Sequence, residues 1–153
     1  GVVRARQAGV TVERSDDYAA FWQVLTDNLG TKYGVKPVHT LTEIQLLHSR
    51  FPENIVLYQA VRDGVVLGGI VLYVTPQVVH AQYSSAIAEG KRLGVIDLLY
   101  DRIICHDYAD YPYFDFGRST AHADGSGLNE QLAFQKEGFG GRGICYDTYE
   151  WQL

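Results

Sequence analysis

The feature that most constrains this chain is a block in its middle, residues 54–86, built almost entirely from β-branched and aromatic runs. Ile55 to Arg62 reads as a strand, Asp63-Gly64 as a tight hairpin turn, and Val65 to Val74 as the returning strand, which Pro76 ends. Beyond a short turn, Val78 to Ala86 reads as a third strand. Runs joined by connections this short pair as an antiparallel meander, because parallel neighbours need a long crossover.

Helical patterns flank the meander. Ser15 is placed to cap a helix with Tyr18, Phe21, Trp22, Leu25 and Leu29 on one face, Asp16 and Asp17 in its first turn, and Gly30 as its stop. Thr40 and Glu43 have the spacing of a capping box for a second helix that Pro52 closes after Phe51. A strand over Val10 to Glu13 precedes both. Downstream, a Gly90–Gly94 turn leads into a helix with Ile96, Leu99, Tyr100 and Ile103 on one face, reaching His106. A short buried strand over Tyr113 to Gly117, a polar turn from Ser119 to Gly127, a helix over Leu128 to Glu137 and an aromatic-rich strand over Gly143 to Leu153 complete the reading. A meander followed by strand-helix alternation implies an α+β fold, a mixed central sheet with helices on both faces.

At 153 residues and 46% hydrophobic the chain has the size and core of one domain. Its formal charge of -5 argues against whole-surface attraction to DNA or to anionic lipid. No apolar run approaches the ~20 residues of a membrane span, no signal peptide is visible, and the expected location is the cytoplasm. Cys105 and Cys145 lie far apart without metal-ligand spacing, so they read as buried free thiols and no metal is expected. The start at Gly1 and the absence of methionine suggest a piece of a longer chain with a missing upstream region.

Several local motifs stand out: Pro37-Val38-His39-Thr40, His80-Ala81-Gln82-Tyr83, Gly90-Lys91-Arg92-Leu93-Gly94, Phe114-Asp115-Phe116-Gly117, Leu128-Asn129, and Gln135-Lys136-Glu137-Gly138-Phe139-Gly140-Gly141. From roughly Val10 to the C-terminus they resemble the bacterial GNAT-like N-acyltransferases related to the Fem-type peptidoglycan aminoacyltransferases. The resemblance implies the GNAT fold over residues 10–153, with residues 1–9 as the remnant of an upstream GNAT-like half. It also implies transfer of an acyl or aminoacyl group to the amine of a small molecule or cell-envelope precursor. The donor it implies is acetyl-CoA or another acyl-CoA, with aminoacyl-tRNA as the alternative.

The resemblance places a general base at His80, in a strand that often bears one, and an imidazole titrates where deprotonating an amine requires. A packed structural histidine is the other reading. Asp115, a carboxylate in an apolar run, orients His80, Lys136 or a substrate amine, or else accepts bonds from the turn at Ser119 and Thr120. Lys136 neutralises a carboxylate, phosphate or oxyanion, or only complements its helix C-terminus, with Gly138, Gly140 and Gly141 forming the turn beside it. Tyr83 donates a proton to a leaving group, or packs. His39, Gln82 and Ser119 are the acceptor-binding candidates, with a helix-entry contact as the other reading of His39. Gly90, Lys91, Arg92 and Gly94 form the candidate phosphate-cradling turn, or else a surface helix start with solvated basic residues, and Arg92 occupies a place where the GNAT turn carries glycine. A hydrolase built on Ser84 or Ser85 with His80 and Asp115 lacks a nucleophile elbow. A non-catalytic ligand-binding or interaction domain on the same fold stays open.

Overall fold

The computed structural model describes residues 1–119, 126–145 and 149–152. In chain order these form α1 (Val2–Gln7), β1 (Thr11–Ser15), α2 (Tyr18–Tyr33), α3 (Leu41–Arg50), β2 (Ile55–Arg62), β3 (Val65–Val74) and β4 (Val78–Ala86). There follow α4 (Ala88–Leu93), α5 (Val95–Arg102), a π-helix (Ile103–Asp107), β5 (Tyr113–Asp115) and α6 (Glu130–Gly138). The chain divides into two compact units, residues 1–115 and 116–153, and α6 belongs to the second.

The sheet order is β1-β2-β3-β4-β5. The meander forms with the bounds the sequence implies: β2 pairs antiparallel with β3, and β3 with β4. Asp63 (φ 52°) and Gly64 (φ 75°) both take the left-handed conformation that a two-residue hairpin turn demands. β5 pairs parallel with β4, which makes the sheet mixed.

One core layer packs α2 and α3 on the sheet: Tyr18, Phe21, Trp22, Leu25 and Ile44 meet Ile55, Leu57 and Val71. The alternate residues of the strands face α5, whose Leu98, Leu99 and Tyr100 are buried. At ~1.5–3 kcal/mol for each large apolar side chain removed from water, these two layers are the main favourable term of the first unit.

The helix starts and stops refine the reading. Ser15 ends β1 instead of capping α2; Asp17 is the cap, its carboxylate accepting from the Ala20 N–H, while the Ser15 hydroxyl oxygen accepts from the Asp17 N–H. α2 continues through Gly30 and ends at Gly34, which takes φ 63°. A helix pays little for one interior glycine when its buried face carries it on. The Thr40–Glu43 capping box forms on both sides.

Other expectations are corrected. Cys105 and Cys145 are exposed. Tyr113 is 63% exposed, so β5 is not a buried strand, and it stops at Asp115. The helix expected to reach His106 changes at Ile103 into a π-helix, whose wider turn brings Asp107 to the Tyr58 hydroxyl (2.6 Å) and the Arg102 guanidinium (2.9 Å). No strand forms among the described residues of 143–152, and the rest of that expected strand lies outside them, as does most of the 119–127 turn. α1 was not anticipated; it packs by burying Ala5 and by an Arg6–Asp101 ion pair at 2.9 Å.

Candidate active site

The site arises from one irregularity in β4. Val71 pairs with Tyr83 and Leu72 with Ala81, so Gln82 is an extra residue, a β-bulge. In a regular strand His80 and Tyr83, three residues apart, would point to opposite faces. The extra residue cancels the alternation. His80, paired with Tyr73, and Tyr83, paired with Val71, therefore share the face that α2 and α3 cover.

His80 is gripped on both sides. Its Nδ1 lies 2.8 Å from Asp115 Oδ2, and its Nε2 lies 3.0 Å from Gln82 Oε1. An ionised carboxylate only accepts, so Nδ1 carries a hydrogen and Nε2 is the atom left for proton transfer. With Oε1 turned to Nε2, the Gln82 amide receives a hydrogen bond from an imidazolium; turned over, its NH₂ donates to the neutral ring. Gln82 can thus follow the histidine through a protonation cycle. The pair is partly open to solvent, with side-chain exposures of 30% and 40% for His80 and Asp115. His80↔Asp115 is also the last residue pair between β4 and β5, beyond which β4 continues without that neighbour.

Beside it lies a second hydrogen-bonded group. The Tyr83 hydroxyl oxygen accepts from the His39 backbone N–H (3.2 Å) and lies 2.6 Å from His39 Nδ1. His39 is fixed from behind by Trp22, whose Nε1–H donates to the His39 carbonyl at 3.2 Å, and the Trp22 ring meets that of Tyr83 edge-on at 5.1 Å. Tyr73 stands between the two histidines, its ring centroid 6.4 Å from His39 and 6.3 Å from His80. Its hydroxyl is buried without a hydrogen-bond partner, the one such side-chain atom among the described residues. Burial, and next the Tyr83 hydroxyl, push the Tyr73 phenol up from its ordinary value. Leaving a buried hydroxyl unsatisfied costs about 1–3 kcal/mol. Sequence reasoning missed Tyr73, which nothing in the sequence separates from the other ten of its 11 tyrosines.

Five of the expected residues, His39, His80, Gln82, Tyr83 and Asp115, are thereby brought onto one face of the first unit. The second unit holds Lys136 and Ser119. The Lys136 ammonium donates to the carbonyls of Gly117 (3.0 Å) and Arg118 (2.6 Å), and the Ser119 carbonyl accepts from the Asn129 N–H at 2.8 Å. The glycine turn beside Lys136 forms, with the Gly140 and Gly141 N–H groups bonded to the Glu137 and Lys136 carbonyls.

The expected phosphate turn looks different. Gly90, Lys91 and Arg92 lie inside α4, and Gly94 (φ 75°) joins α4 to α5. Gly90 is required by packing: a Cβ there would come within 2.2 Å of the Leu67 carbonyl oxygen. Its bare face therefore turns to β3 and cradles nothing. The Arg92 guanidinium is held by Glu89, which also takes Arg62, and these hydrogen bonds, Arg92 first, draw the Glu89 carboxyl down to about 2. Arg4 donates to the Arg92 carbonyl. Among the described residues Lys91 has no acidic partner. Glu89 thus binds two guanidinium groups, those of Arg62 and Arg92, and the glycine cradle does not form.

A hollow of about 560 Å³ lies on the other face, lined by Arg14, Glu53, Tyr58, Asp107, Tyr108 and Tyr111, and takes in none of the expected residues. Among the described residues no three His, Cys, Asp or Glu converge as metal ligands, and no helix is long and apolar enough to cross a membrane.

Solved structures share this fold. A possible acetyltransferase from Clostridium difficile 630 is similar at 13% identity and TM-score 0.69, covering 94% of this chain and 97% of that one. An aminoglycoside acetyltransferase from an uncultured soil metagenomic sample, in complex with sisomicin, is similar at 14% identity and TM-score 0.62, covering 94% and 97%. A ribosomal-protein-alanine N-acetyltransferase from Brucella melitensis biovar Abortus 2308 is similar at 14% identity and TM-score 0.59, covering 94% and 99%. No curated protein matches the chain significantly. The family model described as acetyltransferase (GNAT) domain matches residues 2–124. That span contains the whole meander, the bulge and both members of the His80–Asp115 pair, and the chain accordingly belongs to the GNAT acetyltransferase domain family and is an acyltransferase.

Proposed function

We propose that this acyltransferase moves an acyl or aminoacyl group from a phosphate-bearing donor to the amine of a small molecule or cell-envelope precursor, in the cytoplasm and in the manner of the Fem-type enzymes. The observation that carries the reading is the 2.8 Å His80–Asp115 contact, which holds Nδ1 and leaves Nε2, 3.0 Å from the Gln82 amide, as the ring nitrogen for proton transfer. In this reading residues 10–153 are the acyl-transfer domain.

When bound, an acyl-CoA or aminoacyl-tRNA would supply the activated acyl group, and Lys91 and Arg92 would hold its phosphates. His80 Nε2 takes a proton from the acceptor amine as nitrogen bonds to the acyl carbon. Asp115 keeps Nδ1 protonated and stabilises the imidazolium that results. Tyr83 returns a proton to the departing group, and His39 and Gln82 line the acceptor side with hydrogen-bonding atoms. Among similar structures, one aminoglycoside acetyltransferase holds sisomicin and another enzyme is named for the alanine of a ribosomal protein, which supports amines as the acceptor class.

A non-catalytic binding domain is the second reading, favoured by the packing of Gly90 against Leu67 in place of a phosphate cradle. Turnover decides between them. With acetyl-CoA as donor and sisomicin or an alanine-ended peptide as acceptor, thiol release should fall about 10²- to 10⁴-fold in His80→Gln with the melting temperature retained. Unchanged turnover in that variant removes His80 from the chemistry; no turnover in the parent, with saturable stabilisation by acetyl-CoA, establishes the binding domain.

A further inference from the structure

The site contains a group that the mechanism above does not use. A phenylalanine at position 73 would fill the space between the rings of His39 and His80 without burying an unsatisfied hydroxyl. The hydroxyl of Tyr73 therefore contributes nothing to packing, and its use must lie in a state of the site in which it finds a partner.

The neighbouring Tyr83 oxygen is the group whose hydrogen-bonding needs change during the reaction. In the resting site it receives the His39 N–H and shares one further hydrogen with His39 Nδ1. When Tyr83 gives its proton to the departing group, the oxygen becomes a phenolate with a lone pair to spare. Both tyrosines touch the His39 ring, at 6.4 Å for Tyr73 and 6.0 Å for Tyr83, and both project from the same face of the sheet.

We propose that Tyr73 is a positioning residue for the transfer reaction, whose hydroxyl donates a hydrogen bond to the Tyr83 oxygen as that phenol surrenders its proton. The inference rests on the reading of Tyr83 as proton donor. Atoms balance: the bond between acyl carbon and leaving atom breaks, the leaving atom takes the Tyr83 proton, the amine proton goes to His80 Nε2, and solvent exchange restores both side chains. Tyr73 keeps its own proton throughout. The hydrogen bond is made only as charge develops, so it stabilises the transition state and not the bound substrates.

The test is a double-mutant cycle on the intact chain, with acetyl-CoA as donor, sisomicin or an alanine-ended peptide as acceptor, and thermal unfolding measured alongside. Tyr73→Phe should melt at the same temperature as the parent or higher, because an unsatisfied hydroxyl is gone. Its kcat should fall about 10- to 100-fold with KM unchanged, as loss of a hydrogen bond to a charged atom implies. In a Tyr83→Phe background the same substitution should cost nothing further. A lower melting temperature in Tyr73→Phe would show that the hydroxyl has a structural partner and overturn the inference, as would an unchanged kcat or an undiminished loss in the Tyr83→Phe background. The reading beneath it fails separately: an unimpaired Tyr83→Phe removes the proton donor, and a parent chain without turnover removes the acyl transfer, and either takes the inference with it.

Discussion

Asp115 accepts from the ring it faces and so fixes Nδ1 of His80 as the nitrogen that carries the hydrogen. Asp115→Asn keeps the shape but replaces an obligate acceptor with a group that can also donate, and so it admits the wrong tautomer. Turnover should fall about 10²-fold, less than the ~10⁴ seen when a fully buried triad carboxylate is changed, because this pair is partly solvated; steady-state kcat checks it. A different histidine is structural. His48 Nδ1 lies 2.7 Å from the Ile55 carbonyl and Nε2 2.9 Å from Asp16 Oδ1, tying α3 to the start of β2 and to the α2 entry. His48→Ala should lower unfolding free energy by about 1–3 kcal/mol in urea titrations, leaving kcat intact. The contact between His80 and Asp115 joins two residues that the sequence singles out, because a histidine in a strand and a carboxylate in an apolar run are each conspicuous. Tyr73 was not legible in the sequence, since what distinguishes it is the absence of a partner in three dimensions.

At the scale of elements, the meander was read with its bounds because strand alternation, Asp63-Gly64 and Pro76 all point the same way. The bulge at Gln82 left no trace, for a bulge is a relation between two strands and the sequence shows one at a time. The same holds for the π-helix, which only the Tyr58 and Arg102 contacts to Asp107 explain. Deleting Gln82 should restore regular alternation with His80 and Tyr83 two residues apart and still on one face, so folding should survive, as circular dichroism checks, while His80 Nε2 loses its amide partner and turnover falls. At the expected phosphate turn Gly90, Lys91 and Arg92 fit either a loop or a helix in sequence, and the close approach of α4 to Leu67 chose the helix. Gly90→Ala puts a methyl against that carbonyl and should cost about 1–3 kcal/mol of stability by thermal denaturation.

The whole molecule carries its pH limits in opposite directions. Burial, the largest cause, drives Tyr18 and Tyr58 well above the usual phenol range. The folded chain therefore keeps protons that the unfolded chain loses, so this stability is fully present below about pH 10 and declines above it, by about 1.4 kcal/mol per pH unit for each tyrosine. Glu89 acts in the reverse sense. With its carboxyl held at about 2 instead of 4.5, its contribution is present above pH 4.5 and is lost as pH falls towards 2. Melting temperature against pH should show a plateau between these edges, with the alkaline edge moving upward in Tyr58→Phe.

The short pairing of β5 sets how the site ages under mutation. Three residue pairs, Val78↔Tyr113, Val79↔Phe114 and His80↔Asp115, align β5 with β4, so the carboxylate that contacts the histidine rides on the shortest strand of the sheet. Amide exchange there should be the fastest in the sheet, and random changes should erode chemistry before they erode folding. A protein engineer seeking a sturdier catalyst would do better to extend that ladder than to repack an already well-filled core.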